Sequence, residues 1–190
     1  MSYVSLLKAC AKKKDLQRGM DVHSAMLKTA CGLLETNPFI GSSLIHMYAK
    51  CGDLSKAQNV LDELPVRNSV CWNAMISGYA QQGQGKEAIY CFNLMQREGF
   101  SSHAITFTSV LKACGSIGAL DKGKQIHEMI VRERLLGEDI VLGNALIDMY
   151  AKCNVLTKAQ QVFDGLPNRD VVSWNALISG YTKHGHYMEA

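Results

Sequence analysis

Ser43-Leu-Ile-His-Met-Tyr-Ala-Lys-Cys-Gly52 returns at a constant offset of 102 as Ala145-Leu-Ile-Asp-Met-Tyr-Ala-Lys-Cys-Asn154. Worked outward from there, residues 42–88 and 144–190 are identical at 27 of 47 positions, among them Leu64, Pro65, Arg67, Trp72 to Ala74 and Ile76 to Tyr79. Ser5-Leu-Leu-Lys-Ala-Cys10 likewise matches Ser109-Val-Leu-Lys-Ala-Cys114, now at offset 104, so the first copy carries two extra residues around Gly32 to Asn37. Self-similarity at a fixed period is the signature of a repeat architecture. Within the long repeat lies a shorter one, visible in three columns that step together by 38, 31, 35, 36 and 31 residues. They are Cys10, Tyr48, Tyr79, Cys114, Tyr150, Tyr181; Lys14, Gly52, Gly83, Gly118, Asn154, Gly185; and Gly19, Ala57, Ala88, Gly123, Ala159, Ala190.

Each short unit reads as a helix hairpin. Leu44, Ile45, Tyr48 and Ala49 form one apolar stripe of a first helix, and Gly52 or its equivalent supplies the left-handed residue that ends it. Ala57, Val60, Leu61 and Leu64 keep the three-four spacing of a second helix, which Pro65 or Pro167 stops. The small residue of the third column is expected where the two helices of a hairpin approach closely. No stretch combines period-two alternation with β-branched enrichment, so the fold class is all-α. One hairpin cannot bury both of its faces, and stacking supplies the continuous core of an α-solenoid with a concave inner surface, where function is expected.

Composition agrees. A chain of 190 residues that is 47% apolar and 19% charged can bury a core, and no apolar run approaches a membrane span. The net charge of +3 is too small to argue for a polyanionic partner, so charge placement matters more than its sum. Cysteines at 10, 31, 51, 71, 91, 114 and 153 are odd in number and form no Cys-x-x-Cys pair, which speaks for reduced thiols packed as small apolar residues rather than a disulfide or zinc framework.

The strings Ser-Leu-Ile-His-Met-Tyr-Ala-Lys-Cys-Gly (43–52), Trp-Asn-Ala-Met-Ile-Ser-Gly-Tyr (72–79) and Asn-Ala-Leu-Ile-Asp-Met-Tyr-Ala-Lys-Cys (144–153) resemble the pentatricopeptide repeat proteins of plant organelles. Specifically, they resemble the PLS subgroup, which alternates long, short and standard repeats. The resemblance implies a right-handed superhelical α-solenoid of stacked helix-turn-helix repeats. On that pattern residues 1–37 form a long repeat with a truncated start, 38–68 a short one, 69–103 a standard one, 104–139 a long one and 140–170 a short one, with 171–190 a truncated standard repeat. With Met1 at the second place of a repeat and the last hairpin incomplete, the chain reads as a fragment of a larger protein.

The resemblance further implies sequence-specific binding of single-stranded RNA, one base per repeat. In this family the fifth residue of a repeat and its last residue meet the base edge, and an apolar second residue packs on the base faces. The fifth positions here are Val4, Ser42, Asn73, Thr108, Asn144 and Asn175; the last are Asn37, Asn68, His103, Asp139 and Asp170; the second are Met1, Phe39, Val70, Ile105, Val141 and Val172. Ser42 with Asn68 implies adenine, Thr108 with Asp139 guanine, and Asn144 with Asp170 uracil. Asn73 implies a pyrimidine, which His103 leaves open, and Val4 offers no hydrogen-bonding atom. The chemistry suits the reading, because an Asn amide presents both donor and acceptor to a pyrimidine edge while a short hydroxyl leaves room for a purine. Taken singly, a polar residue on a helix is ordinarily just solvated; Asn, Ser or Thr in five of six equivalent slots argues for a shared role.

Eight residues beyond the fifth position stand Lys12, Lys50, Gln81, Ser116, Lys152 and Lys183. That spacing is slightly more than two helical turns, which makes the lysines candidate phosphate contacts; their alternative role is to complement the helix dipole. The resemblance places the parent protein in a mitochondrion or chloroplast, with the transit peptide outside this chain, and assigns it to organellar RNA processing, C-to-U editing foremost. Editing helper proteins packing on the long repeats, and a deaminase domain in cis or in trans, are the partners so implied. The His-x-Glu and Pro-Cys-x-x-Cys signature of that deaminase does not occur in this chain, so no catalytic residue, metal or cofactor is expected in it. His23 and His127, equivalent places in the two long repeats, read as packing residues. The rival reading is a peptide-binding helical-repeat scaffold without RNA readout. The Trp-x-x-Leu-Gly-x-x-Tyr pattern of tetratricopeptide arrays is missing from these units.

Overall fold

The computed structural model describes residues 2–29, 38–136 and 139–183. Among them the regular elements are α-helices: α1 (Tyr3–Lys13), α2 (Leu16–Thr29), α3 (Pro38–Cys51), α4 (Leu54–Glu63), α5 (Ser69–Gln81), α6 (Gly85–Arg97), α7 (Ala104–Ile117), α8 (Leu120–Arg132), α9 (Ile140–Lys152), α10 (Leu156–Gly165) and α11 (Val171–Lys183). No described helix is long and apolar enough to cross a membrane. The chain divides into two compact units, Met1–Gln82 with Tyr90–Ser101 and Gly83–Ile89 with Ser102–Ala190, so that α6 contributes to both.

Each unit is built around one helix. In the first, α3 packs against α1, α2, α4 and α5; in the second, its equivalent α9 packs against α7, α8, α10 and α11. A helix covered on several sides must be apolar nearly all round. This is why Leu44, Ile45, Met47, Tyr48 and Ala49 are all buried, as are Leu146, Ile147, Met149, Tyr150 and Ala151. Burial of one such Leu, Ile or Met side chain is worth about 1.5–3 kcal/mol. The stripe read from sequence therefore forms, and Met47 and Met149 widen it.

The expected left-handed stops are in place. Lys14, Gly52, Gly83, Gly118 and Asn154 all have positive φ, from 54° to 95°; Gly185 lies outside the described residues. At Gly52 the backbone N–H bonds to Ala49 O and that of Asp53 reaches back to Tyr48 O, the double closure of a Schellman turn. The same pair of bonds closes α1 through Lys14 and Asp15, and α9 through Asn154 and Val155.

Two expectations need correction. Leu64 is not part of the second helix: α4 ends at Glu63, and Leu64 is extended (φ −67°, ψ 123°), as a residue preceding proline must be. From there its side chain fills the space over Gly41, and Leu166 does the same over Gly143. The small residues of the third column do not all serve their own hairpin. A Cβ on Gly19 would strike Met47 of α3, and one on Gly123 would stand 2.5 Å from Met149 Sδ of α9, so these glycines admit the first helix of the next hairpin. Ala57, Ala88 and Ala159 are fully buried, and Ala190 lies outside the described residues.

Arg67 and Arg169, unexplained at the level of sequence, close the second helices. Arg67 donates from Nε to Leu61 O at 3.1 Å and Arg169 to Phe163 O at 2.9 Å, each supplying a donor to an otherwise orphaned carbonyl. Of the described cysteines, 10, 71, 91 and 114 are buried and 51 and 153 half-buried, all as free thiols, and Cys31 lies outside the described residues. Burial pushes the Cys114 thiol up to about 12, which makes it a packing group and not a nucleophile. His23 Nδ1 lies 2.9 Å from Tyr48 Oη and His127 Nδ1 2.8 Å from Tyr150 Oη, with the rings edge to face in both pairs. This equivalent pairing gives both histidines a packing role, and no group of three metal-ligating side chains occurs among the described residues.

Candidate nucleic-acid interface

The apolar second-position residues are outside the core. Phe39 and Val70 in the first unit, and Ile105, Val141 and Val172 in the second, are each between 53% and 70% exposed. Every one of them lies in the first turn of a first helix: α3, α5, α7, α9 and α11. Solvent exposure of a single apolar side chain means little, but recurrence at one place in five consecutive hairpins is a pattern. Met1 lies outside the described residues.

One turn further along each helix are the fifth-position residues. Ser42 and Asn144 are buried at 5% and 7% exposure; Asn73 and Thr108 are half-buried and Asn175 is exposed. The two hydroxyl side chains at this position are turned onto their own helices, Ser42 Oγ donating to Phe39 O at 3.1 Å and Thr108 Oγ1 to Ala104 O at 2.8 Å. A helical Ser or Thr commonly makes this backward bond. Val4 is half-buried in α1.

The last-position residues turn out to be helix caps, a role the sequence reading missed. Asn68 Oδ1 accepts from Cys71 N at 2.9 Å, and Asp139 Oδ1 accepts from Val141 N at 2.9 Å and Leu142 N at 3.4 Å. Asp170 Oδ1 accepts from Ser173 N at 2.8 Å. His103 caps α7 through its backbone, its N–H donating to Thr106 Oγ1 at 3.2 Å. Asn37 lies outside the described residues. The signal was present: Asn or Asp directly before an apolar-periodic run is an N-cap pattern. Capping consumes one oxygen of each side chain and leaves the amide nitrogen of Asn68, or the second carboxylate oxygen of Asp139 and Asp170, for another partner.

The structure joins one of the expected reading pairs directly. Asn144 Nδ2 donates to Asp170 Oδ1 at 3.1 Å, and Asn144 Oδ1 accepts from the Ser173 hydroxyl at 2.6 Å. Ser173 Oγ also accepts from Asp170 N at 3.2 Å. The Ser173 N–H, with the side chains of Asn144 and Ser173, holds the Asp170 carboxyl below the usual carboxylate range. Ser42 with Asn68, and Thr108 with Asp139, make no direct hydrogen bond among the described residues. Asn73 belongs to the first unit and His103 to the second.

The lysine column is mixed. Lys50 Nζ donates to Gln81 Oε1 at 3.0 Å, which links two members of the column. Lys152 is paired with Asp148 at 2.7 Å. Lys12 and Lys183 are exposed at the ends of α1 and α11.

Repeated helix hairpins whose first helices carry an exposed apolar residue in the first turn, with a polar side chain one turn further on, define a helical-repeat protein of the α-solenoid class. The chain belongs to the PPR repeat family. The PPR repeat matches residues 1–29, 42–69, 105–135, 144–171 and 172–190, and a second PPR repeat family pattern covers 67–116. It is 41% identical over 98% of its length to pentatricopeptide repeat-containing protein At4g18520, chloroplastic, of Arabidopsis thaliana, covering 30% of that protein. It is 39% identical over 97% to the putative pentatricopeptide repeat-containing protein At3g13770, mitochondrial, of the same plant, covering 29%. The chain thus spans about a third of the length of these relatives. Among solved structures it is similar to the pentatricopeptide repeat protein PPR10 in complex with an 18-nt psaJ RNA element, with a TM-score of 0.68, 20% identity, and coverage of 99% of this chain and 33% of that one. The crystal structure of PPR10 from maize gives a TM-score of 0.66 at 20% identity, with coverage of 98% of this chain and 32% of that one.

Proposed function

We propose that this chain binds single-stranded RNA with one base per repeat and acts as the specificity segment of an organellar RNA-processing protein, with C-to-U editing the processing this reading favours. The observation that carries it is the column of exposed apolar residues Phe39, Val70, Ile105, Val141 and Val172. An apolar side chain left in water at five equivalent places costs solubility with no return to the core, whereas a nucleobase has two flat apolar faces to cover it. Beside each such residue stands a polar side chain that can address a base edge: Ser42, Asn73, Thr108, Asn144 and Asn175, with the caps Asn68, His103, Asp139 and Asp170. Crystallisation of the similar PPR10 with RNA, and the chloroplastic and mitochondrial names of the relatives, support both the ligand and the organellar compartment. The subgroup of alternating repeat lengths, the repeat boundaries, and helper proteins or a deaminase domain as partners belong to the same reading.

The test is fluorescence anisotropy with short RNAs built around A-Y-G-U-Y, where Y is a pyrimidine, against RNAs in which the adenine and uracil are exchanged. Tighter binding to the matched RNA is expected, with the preference at the uracil position lost in Asn144→Ser. Equal binding to all the RNAs would remove base reading and turn attention to protein partners.

A further inference from the structure

Ser173 is the third residue of its repeat and is fully buried. Its hydroxyl sits between the two members of the preceding reading pair, 2.6 Å from Asn144 Oδ1 and 3.0 Å from Asp170 Oδ1. A hydroxyl has one proton to give. Asp170 Oδ1 already accepts from Ser173 N and from Asn144 Nδ2, so the shorter contact, to Asn144, takes it.

A carboxamide has two N–H donors and two carbonyl lone pairs. On Asn144 one donor is committed to Asp170 and one lone pair to Ser173. If the amide turned over, its oxygen would face the Asp170 carboxylate as acceptor against acceptor. The two neighbours therefore hold the same orientation from opposite ends, and the remaining N–H and lone pair are offered to a ligand in a fixed order.

That order is what separates the two pyrimidines. Uracil presents N3–H as a donor beside O4 as an acceptor, while cytosine presents N3 as an acceptor beside an N4–H donor, the reverse arrangement. A locked carboxamide matches one of them; a carboxamide free to turn over matches both.

We propose that Ser173 is a positioning residue that locks the Asn144 carboxamide and thereby sets the discrimination between uracil and cytosine at that repeat. The proposal rests on the base-reading function proposed above.

A second observation sets this hydroxyl apart from ordinary capping. The equivalent third-position residues are Ile40, Cys71, Thr106, Leu142 and Ser173, following the readers Val4, Ser42, Asn73, Thr108 and Asn144 in that order. The hydroxyl amino acids at this place follow the amide readers, whereas Cys71 and Leu142 follow the hydroxyl readers Ser42 and Thr108. Asn68 and Asp139 cap their helices over Cys71 and Leu142 with no hydroxyl there, so capping does not require one. Thr106 is fully buried and accepts from His103 N at 3.2 Å, as Ser173 accepts from Asp170 N at 3.2 Å.

The test compares the unaltered chain with Ser173→Ala, Ser173→Thr and Ser173→Cys for binding to RNAs that carry uracil or cytosine opposite Asn144. Cysteine is the residue the chain itself places at this position in Cys71, which guards against a variant that merely fails to fold. The uracil-to-cytosine affinity ratio should fall about tenfold in the Ala and Cys variants, the equivalent of one hydrogen bond to a buried partner. It should be kept in the Thr variant, and preference for adenine opposite Ser42 should not move. The Asn144 side-chain amide protons, followed by NMR in the RNA-free protein, should exchange faster in Ser173→Ala, a change that a role limited to helix capping would not produce. A ratio retained in Ser173→Ala, or unchanged amide exchange, overturns the assignment of Ser173 alone. No uracil preference in the unaltered chain overturns base reading itself and the role of Ser173 with it.

Discussion

Lys14 holds the same left-handed backbone as Gly118, its counterpart 104 residues later, with φ of 54° and 67°. Both end a first helix in which the carbonyl of Cys10 or Cys114 accepts from the N–H of Asp15 or Ala119. A residue with a Cβ is strained there, and glycine is not. Lys14→Gly should therefore raise stability by about 0.5–1 kcal/mol, and Gly52→Ala should lower it by about 1 kcal/mol. Urea unfolding midpoints check both; a Lys14→Gly variant less stable than the parent would contradict the strain argument.

The tight glycines should not respond alike. A Cβ on Gly78 would lie 2.8 Å from Ala49 Cβ and 3.0 Å from a Leu54 methyl, and an alanine methyl has nowhere to swing. On Gly123 it would meet the flexible end of Met149. Alanine gains about 1 kcal/mol over glycine in a helix, and overpacking costs about 1–3 kcal/mol. Gly78→Ala is therefore expected to destabilise by about 1–2 kcal/mol and Gly123→Ala to be near neutral. Thermal melts of the two variants decide it.

Burial lowers the pKa of His23 and of His127. A depressed value means that the unfolded chain takes up a proton before the folded one does, so stability is complete above the ordinary histidine pKa of about 6.5 and falls as pH drops below it, until the folded pKa is reached. His46 acts in the same direction. The melting temperature should decline as the pH falls below about 6.5. In His127→Gln, which keeps an acceptor for the Tyr150 hydroxyl, the decline should be shallower; identical profiles would exclude His127 as a contributor.

If the lysine column touches phosphate, the salt dependence of RNA binding will show it. Each phosphate contact to a single strand contributes a slope of about 0.7 in log affinity against log salt. Lys12→Ala and Lys183→Ala should each reduce the slope by about that amount. Lys152→Ala should reduce it less, because the ion pair with Asp148 must open before this lysine can serve. An unaltered slope in all of them would leave the column with its helix-dipole role.

Asp170 caps α11 and, in the proposed function, also reads a base, two duties that substitution can separate. Asp170→Ala removes the cap of α11 and should lower the melting temperature as well as abolish the base preference. Asp170→Asn keeps an oxygen for the Ser173 N–H, so the melting temperature should change far less than in Asp170→Ala while the pyrimidine preference shifts. Parallel melting and anisotropy series would show the two effects coming apart, or would tie them together if the Asn variant lost stability too.

The period was legible because it is written in local chemistry. Gly52, Gly118 and Asn154 announce a left-handed helix stop to anyone counting residues, and Leu44, Ile45 and Tyr48 announce a buried stripe. The apolar second position was legible as a column, and its exposure followed once the helices were in place. The caps are equally local, since Asn68, Asp139 and Asp170 each stand directly before an apolar-periodic run.

What sequence alone determined about this protein was its helices, their ends and their repetition, since each depends on residues within a turn or two of one another. Tertiary structure alone decided which hairpin a small residue serves, as Gly19 and Gly123 yield to a methionine from the next repeat. It alone also brought Ser173 onto Asn144 across 29 residues. Such contacts depend on how one hairpin lands on another, and that is set by side-chain volume and hydrogen-bond geometry summed over two helices, a quantity no local pattern carries.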